Sequence, residues 1–144
     1  MVDDHIVKTE REDKKMATLS SGVWGDSNLM NLKEIDLSQI RSEVSALLVE
    51  GEQPVAAFQT VRDQVIFTTH RIFVVNVQGI TGKKTSYFSY PYSKVQYFGI
   101  ETAGVIDIDS ELVLAFRNGA KLSFDFKTNV DIRRISAMIS RFIL

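Results

Sequence analysis

The stretch that decides the fold is Leu112-Val113-Leu114-Ala115-Phe116-Arg117-Asn118-Gly119-Ala120-Lys121-Leu122-Ser123-Phe124-Asp125-Phe126. Leu112, Leu114 and Phe116 alternate up to Asn118-Gly119, a dipeptide suited to a tight hairpin turn. Leu122, Phe124 and Phe126 alternate on the return, against Lys121, Ser123 and Asp125. A period of two on both arms reads as a β-hairpin with one apolar face.

Upstream, the same period recurs from Pro54 onward. Val55–Thr60 and Gln64–Thr68 flank the short turn Val61-Arg62-Asp63, and Thr69-His70 leads into the β-prone run Arg71–Val77. Gln78–Lys83, with two glycines, reads as a loop. Lys84–Tyr90 is a strand ended by Pro91, and Val95–Thr102 is the next. Downstream, Ile132, Ile135, Ile139 and Phe142 share one face of a helix predicted over residues 129–142, with Thr128 and Asp131 as its capping pair. Ile143 and Leu144 extend that apolar surface, so the helix is expected to dock.

Before the strands, Ile40, Val44, Leu47 and Leu48 fall at helical spacing, which predicts an amphipathic helix over residues 37–49. Asp36 with Gln39 reads as its N-terminal cap and Gly51 as its left-handed stop. Residues 1–21 are charged, then small and polar, and read as a flexible tail. Residues 22–50 form a leader that holds Trp24 beside Leu29 and Met30. Residues 51–144 are the domain proper. The expected architecture is α+β and mainly β. Seven short antiparallel strands form a bent sheet or partial barrel, one terminal helix closes its opening, and an extra helix precedes it. This is the pleckstrin-homology (PH) arrangement.

Residues 36–144 also resemble a particular family, the bacterial pleckstrin-homology domains, a domain of unknown function. The resemblance rests on Glu50-Gly51-Glu52, on Val61-Arg62-Asp63 before Val65-Ile66-Phe67-Thr68, and on Gly79-Ile80-Thr81-Gly82-Lys83-Lys84. Tyr90-Pro91-Tyr92 and Glu101-Thr102-Ala103-Gly104 add to it. It implies a homo-oligomer that closes into a ring. The charged extension before Trp24 is longer than the family's short leader.

Composition narrows the function. The 144 residues include no cysteine, so disulfides, thiol nucleophiles and thiolate metal sites are excluded. Net charge is −1, which provides no overall field for nucleic acid or anionic lipid. Neither a signal peptide nor an apolar run of the ~20 residues that span a bilayer is present, so a cytoplasmic protein is expected.

Few constellations could carry chemistry. Gly79-Ile80-Thr81-Gly82-Lys83-Lys84-Thr85 has two residues between its glycines and is followed by a strand. A nucleotide-binding loop needs four residues there and a helix after it. Asp107, Asp109 and Glu111 share one side of an extended chain, yet lack the glycine and distant glutamate of a calcium loop. His5 and His70 have no spaced partner for metal or general-base work. Phosphoinositide readers of this fold place a lysine late in strand one and an arginine in strand two. Here Val55–Thr60 has no basic residue, and Arg62 is offset by Asp63.

The expectation is therefore no catalytic residue, metal or cofactor, no nucleic acid and no specific phosphoinositide. It is a non-enzymatic module that assembles with itself and presents a surface to a peptide or protein partner. The candidate interface comprises Trp24, Leu29, Met30, Val44, Leu47, Arg133, Arg134 and Arg141. Related folds bind peptides between the terminal helix and an open strand edge. Weak membrane contact through Trp24, Leu29 and Met30 is the alternative.

Overall fold

The computed structural model describes residues 27–102, 109–127 and 129–144. Among them are eight strands: β1 (Ser27–Ile35), β2 (Pro54–Gln59), β3 (Gln64–Thr68), β4 (Arg71–Gln78), β5 (Lys84–Pro91), β6 (Val95–Glu101), β7 (Ser110–Phe116) and β8 (Lys121–Phe126). A four-residue helix, α1 (Ser42–Ser45), precedes β2, and a long one, α2 (Ile132–Ile143), follows β8. The strands form one sheet in the order β5-β4-β3-β2-β1-β8-β7-β6. The seven predicted strands and the terminal helix are all present. Asp131 caps α2, accepting from Arg133 N, and Thr128 lies outside the described residues.

Two expectations are corrected. The sheet has an eighth strand, and it is mixed rather than wholly antiparallel. The N-terminal half of β1 pairs parallel with β8 from Ser27↔Leu122 to Leu32↔Phe126, and its C-terminal half pairs antiparallel with β2. β1 therefore joins the two halves of the sheet. The register shifts between Leu29 and Leu32, where Asn31 takes φ +60. Asparagine is one of the few side chains that tolerates this left-handed backbone. The extra residue lets Leu29 and Leu32, three apart, both enter the core.

The second correction concerns the helix predicted over residues 37–49, which does not form. The Asp36–Gln39 capping box exists, but it caps only a single 3₁₀ turn, Leu37–Gln39. Ile40 and Arg41 are then extended, and α1 adds one helical turn. The cause is tertiary. A continuous helix would need Gln39 C=O and Arg41 N–H for its own ladder. Instead the buried Gln64 of β3 donates from Nε2 to Gln39 O at 3.0 Å and accepts from Arg41 N at 3.0 Å.

The apolar residues of this segment still find a partner within the same chain. Val44 joins Ala57, Ile66, Phe73 and Val75 in a cluster, with Ile35, Ile40, Leu48 and Tyr87 packed around it. The segment thus covers the outer face of β2–β4, which explains why all of β3 and residues 72–76 of β4 are buried. The inner face of the whole sheet gathers into the main core. Phe58, Phe67, Phe124 and Phe126 meet there edge-on across the two halves, and Ile132, Ile135 and Ile139 of α2 pack against it.

Candidate functional site

The first feature a partner would meet is a strand edge. β5 and β6 end the sheet, so each offers a row of backbone groups that no described strand satisfies. Of the two, β6 is the barer. Val95 is buried and Phe98 half-buried, whereas Gln96, Gly99 and Glu101 are exposed, with Tyr97 at 55% and Ile100 at 38%. α2 lies beside it against β6 and β7. The half-buried Met138, Phe142 and Ile143 of α2 extend the apolar surface, and Phe142 stacks on Tyr92 at 5.4 Å.

Next to this edge, at the corner where β5 passes into β6, is a polar knot. Glu52 is buried, and its carboxylate accepts from Arg71 Nη2 at 2.8 Å and Nε at 2.9 Å, from Thr68 Oγ1 at 2.6 Å and from Val49 N at 3.0 Å. Burial alone would raise its pKa. Hydrogen bonds from Arg71, Thr68 and the Val49 amide outweigh that and hold it at about 2. Arg71 also donates to Leu47 O and Ser89 Oγ, and its guanidinium lies over Phe73. Tyr92 Oη donates to Thr68 O at 2.7 Å, and burial pushes its phenol well up. Every member is paired, so the knot clamps the 36–50 segment to the sheet and offers no group to a substrate.

Polar groups at the glycine-rich end are engaged as well. Arg62 donates to Gly79 O at 2.6 Å, and Asp63 accepts from Val77 N at 2.9 Å, so the two loops of the glycine-rich end brace each other. Gly79 and Gly82 take φ +78 and +66, values that favour glycine. Asp109 and Glu111 line a hollow of about 290 Å³ with Met30, Glu101 and Asp125. Burial, then the charge of Asp125, raises the Glu111 carboxyl, with Ser123 opposing and Glu101 adding to it. Asp107 lies outside the described residues. His70 Nδ1 meets Thr69 Oγ1 at 2.7 Å.

The predicted interface residues do not converge. Leu29 and Val44 are inside the chain's own cores. Met30 and Leu47 are exposed, on β1 and on the covering segment respectively. Arg133 and Arg141 are exposed on α2, with Arg133 near Asp131, while Arg134 pairs with Glu34 of β1. Trp24 and His5 lie outside the described residues. Sequence reasoning did not single out Tyr97 and Ile100. Their signal was the alternation in β6, which does not reveal that the strand lies at an edge. No helix among the described residues is long and apolar enough to cross a membrane.

Comparison with known proteins agrees with this architecture. The family model for the bacterial PH domain matches residues 23–143. The uncharacterized protein YjqA of Bacillus subtilis is 40% identical over 118 residues, covering 80% of this chain and 94% of the relative. YozO of the same organism is 28% identical over 114 residues, covering 79% and 98%. A crystal structure of a DUF1696 family protein with a pleckstrin-homology domain, from Shewanella loihica, superposes with a TM-score of 0.71 at 34% identity, covering 80% of this chain and 99% of that one. A pleckstrin homology domain from Shewanella amazonensis gives 0.60 at 37%, covering 76% and 90%. With one sheet beginning at Ser27, one terminal helix and a family match across nearly all of the described residues, the chain belongs to the bacterial PH domain family.

Proposed function

We propose that this chain is a non-enzymatic PH-like module that assembles with itself into a closed ring and offers a partner-binding surface between β6 and α2. The observation that carries the reading is the bare β6 edge, with Tyr97 and Ile100 exposed beside it. β5 and β6 are different edges, so pairing β6 of one copy with β5 of the next is a head-to-tail contact. Such contacts close into a ring when the rotation between copies permits. Membrane association through the leader, the other reading of the sequence, gains no support from Leu29, which is buried, or from Met30, which lines an acidic hollow. Light scattering coupled to size exclusion tests the proposal. It expects a mass several times the 16.3 kDa chain, reduced to a folded monomer by Tyr97→Asp with Ile100→Asp. A monomer that persists at high micromolar concentration overturns it.

A further inference from the structure

Beyond the Val44 cluster, the outer face of the sheet runs on into a hollow of about 520 Å³ at the glycine-rich end. Arg41, Val61, Arg62, Val77 and Ile80 are among the described residues that line it. Fixed contacts place the two cations. Arg41 N donates to the buried Gln64 at 3.0 Å, which sets where its side chain starts. Arg62 Nη2 donates to Gly79 O at 2.6 Å and lies close to Gly82, where an added Cβ would stand 3.3 Å from it. Arg62 also has the Asp63 carboxylate as a charge neighbour. Arg41 differs. It is half-buried, and among the described residues it has no ion-pair partner and its buried Nε has no hydrogen-bond partner.

A guanidinium in that state is costly, because a buried donor or charge gives up its hydration and gains no partner in return. An oxyanion supplies both the hydrogen bond and the counter-charge, and the planar fork of arginine suits a carboxylate held by two parallel bonds. With Asp63 beside Arg62, Arg41 is the unmatched charge of the two, and a single charge calls for a monoanion rather than a doubly charged phosphate. Lys83 and Lys84 follow in the same loop, but both are exposed, so water and salt screen them. The remaining wall is aliphatic. Val77 continues the outward row of Phe73 and Val75, and Val61 and Ile80 are almost wholly exposed. The volume is that of a small-molecule site. We infer that this hollow binds a small carboxylate with an aliphatic tail, its carboxylate paired with Arg41 and its tail against Val61, Val77 and Ile80. The site goes beyond the proposed self-assembly and does not depend on it.

The test is a titration of the full chain with hexanoate at constant ionic strength, followed by NMR. The Arg41 Nε–Hε signal and the backbone amides of Arg62, Thr81 and Gly82 should shift and saturate. Arg41→Gln deletes the charge and keeps the main-chain bond to Gln64, so it should weaken hexanoate about tenfold or more without lowering the melting temperature. A lower melting temperature in that variant would mean that the folded chain already gives Arg41 a partner, and the inference falls. Hexanamide that binds as tightly as hexanoate refutes the charge pairing, and acetate that does so refutes the aliphatic wall. Phosphate that binds more tightly than hexanoate refutes the monoanion. Shifts that stay linear, or that chloride reproduces, overturn the site. These titrations use the unaltered chain, so they decide the matter even where the variant fails to fold.

Discussion

Replacing Glu52 by glutamine should destabilise the fold by an amount that depends on pH. In the folded chain the carboxylate has four hydrogen-bond donors and no exposed side-chain surface. The amide keeps the shape but leaves Arg71, only 19% exposed, without its counter-charge. Breaking one side of a buried pair costs about 3–5 kcal/mol. The depressed pKa gives a compatible figure. A fall from 4.5 to about 2 corresponds to roughly 3 kcal/mol, an upper value because water reaches Arg71. The folded pKa lies below the unfolded one, so this contribution is complete above pH 4.5 and is lost as pH falls toward 2. Urea unfolding of both proteins across that range should show a constant stability gap near neutrality that narrows on acidification. A gap below about 0.5 kcal/mol at neutral pH, the size of an ordinary surface substitution, would refute the clamp. So would a gap that does not change with acid.

Three further outcomes follow from the same contacts. Val44→Asp should unfold the chain rather than release folded monomers, because Val44 is 1% exposed beneath its own segment; circular dichroism with light scattering separates the two. Asn31→Val should lower stability by about 1–2 kcal/mol and Asn31→Gly should not, since a β-branched side chain resists φ +60 and glycine adopts it freely; thermal melts of the two variants compare them. Deleting residues 1–50 should abolish cooperative unfolding, because it removes β1 from between β2 and β8 and uncovers Ile66, Phe73 and Val75; a sharp melt of residues 51–144 would contradict this.

The strands from β2 onward were legible because each alternates on its own and the turns between them carry their own chemistry. Asn118-Gly119 places Gly119 at φ +87 where the hairpin requires it. β1 was hidden because its bulge at Asn31 breaks the period of two, leaving Leu29 and Leu32 at a spacing that resembles no strand. The leading helix was misread because Ile40, Val44 and Leu48 do share a face, but the groups that would propagate the helix bond to Gln64, a residue 25 positions after Gln39. Local pattern contains no trace of that competition. Glu52 and Arg71 are 19 residues apart, and charged residues at two strand entrances read as solvated until the sheet brings them to one corner. The β6 edge fared likewise. Its alternation was visible, whereas its position at the end of the sheet follows only from the strand order.

The most direct test of assembly through that edge is hydrogen exchange of the β6 backbone amides, Gln96–Glu101, at low and at high micromolar protein. If copies pair along β6, those amides exchange markedly more slowly in the concentrated sample, while the amides of the buried strand β3 are unaffected. Identical β6 exchange at both concentrations would mean that the edge stays open to water, and the account of self-assembly through it would be wrong.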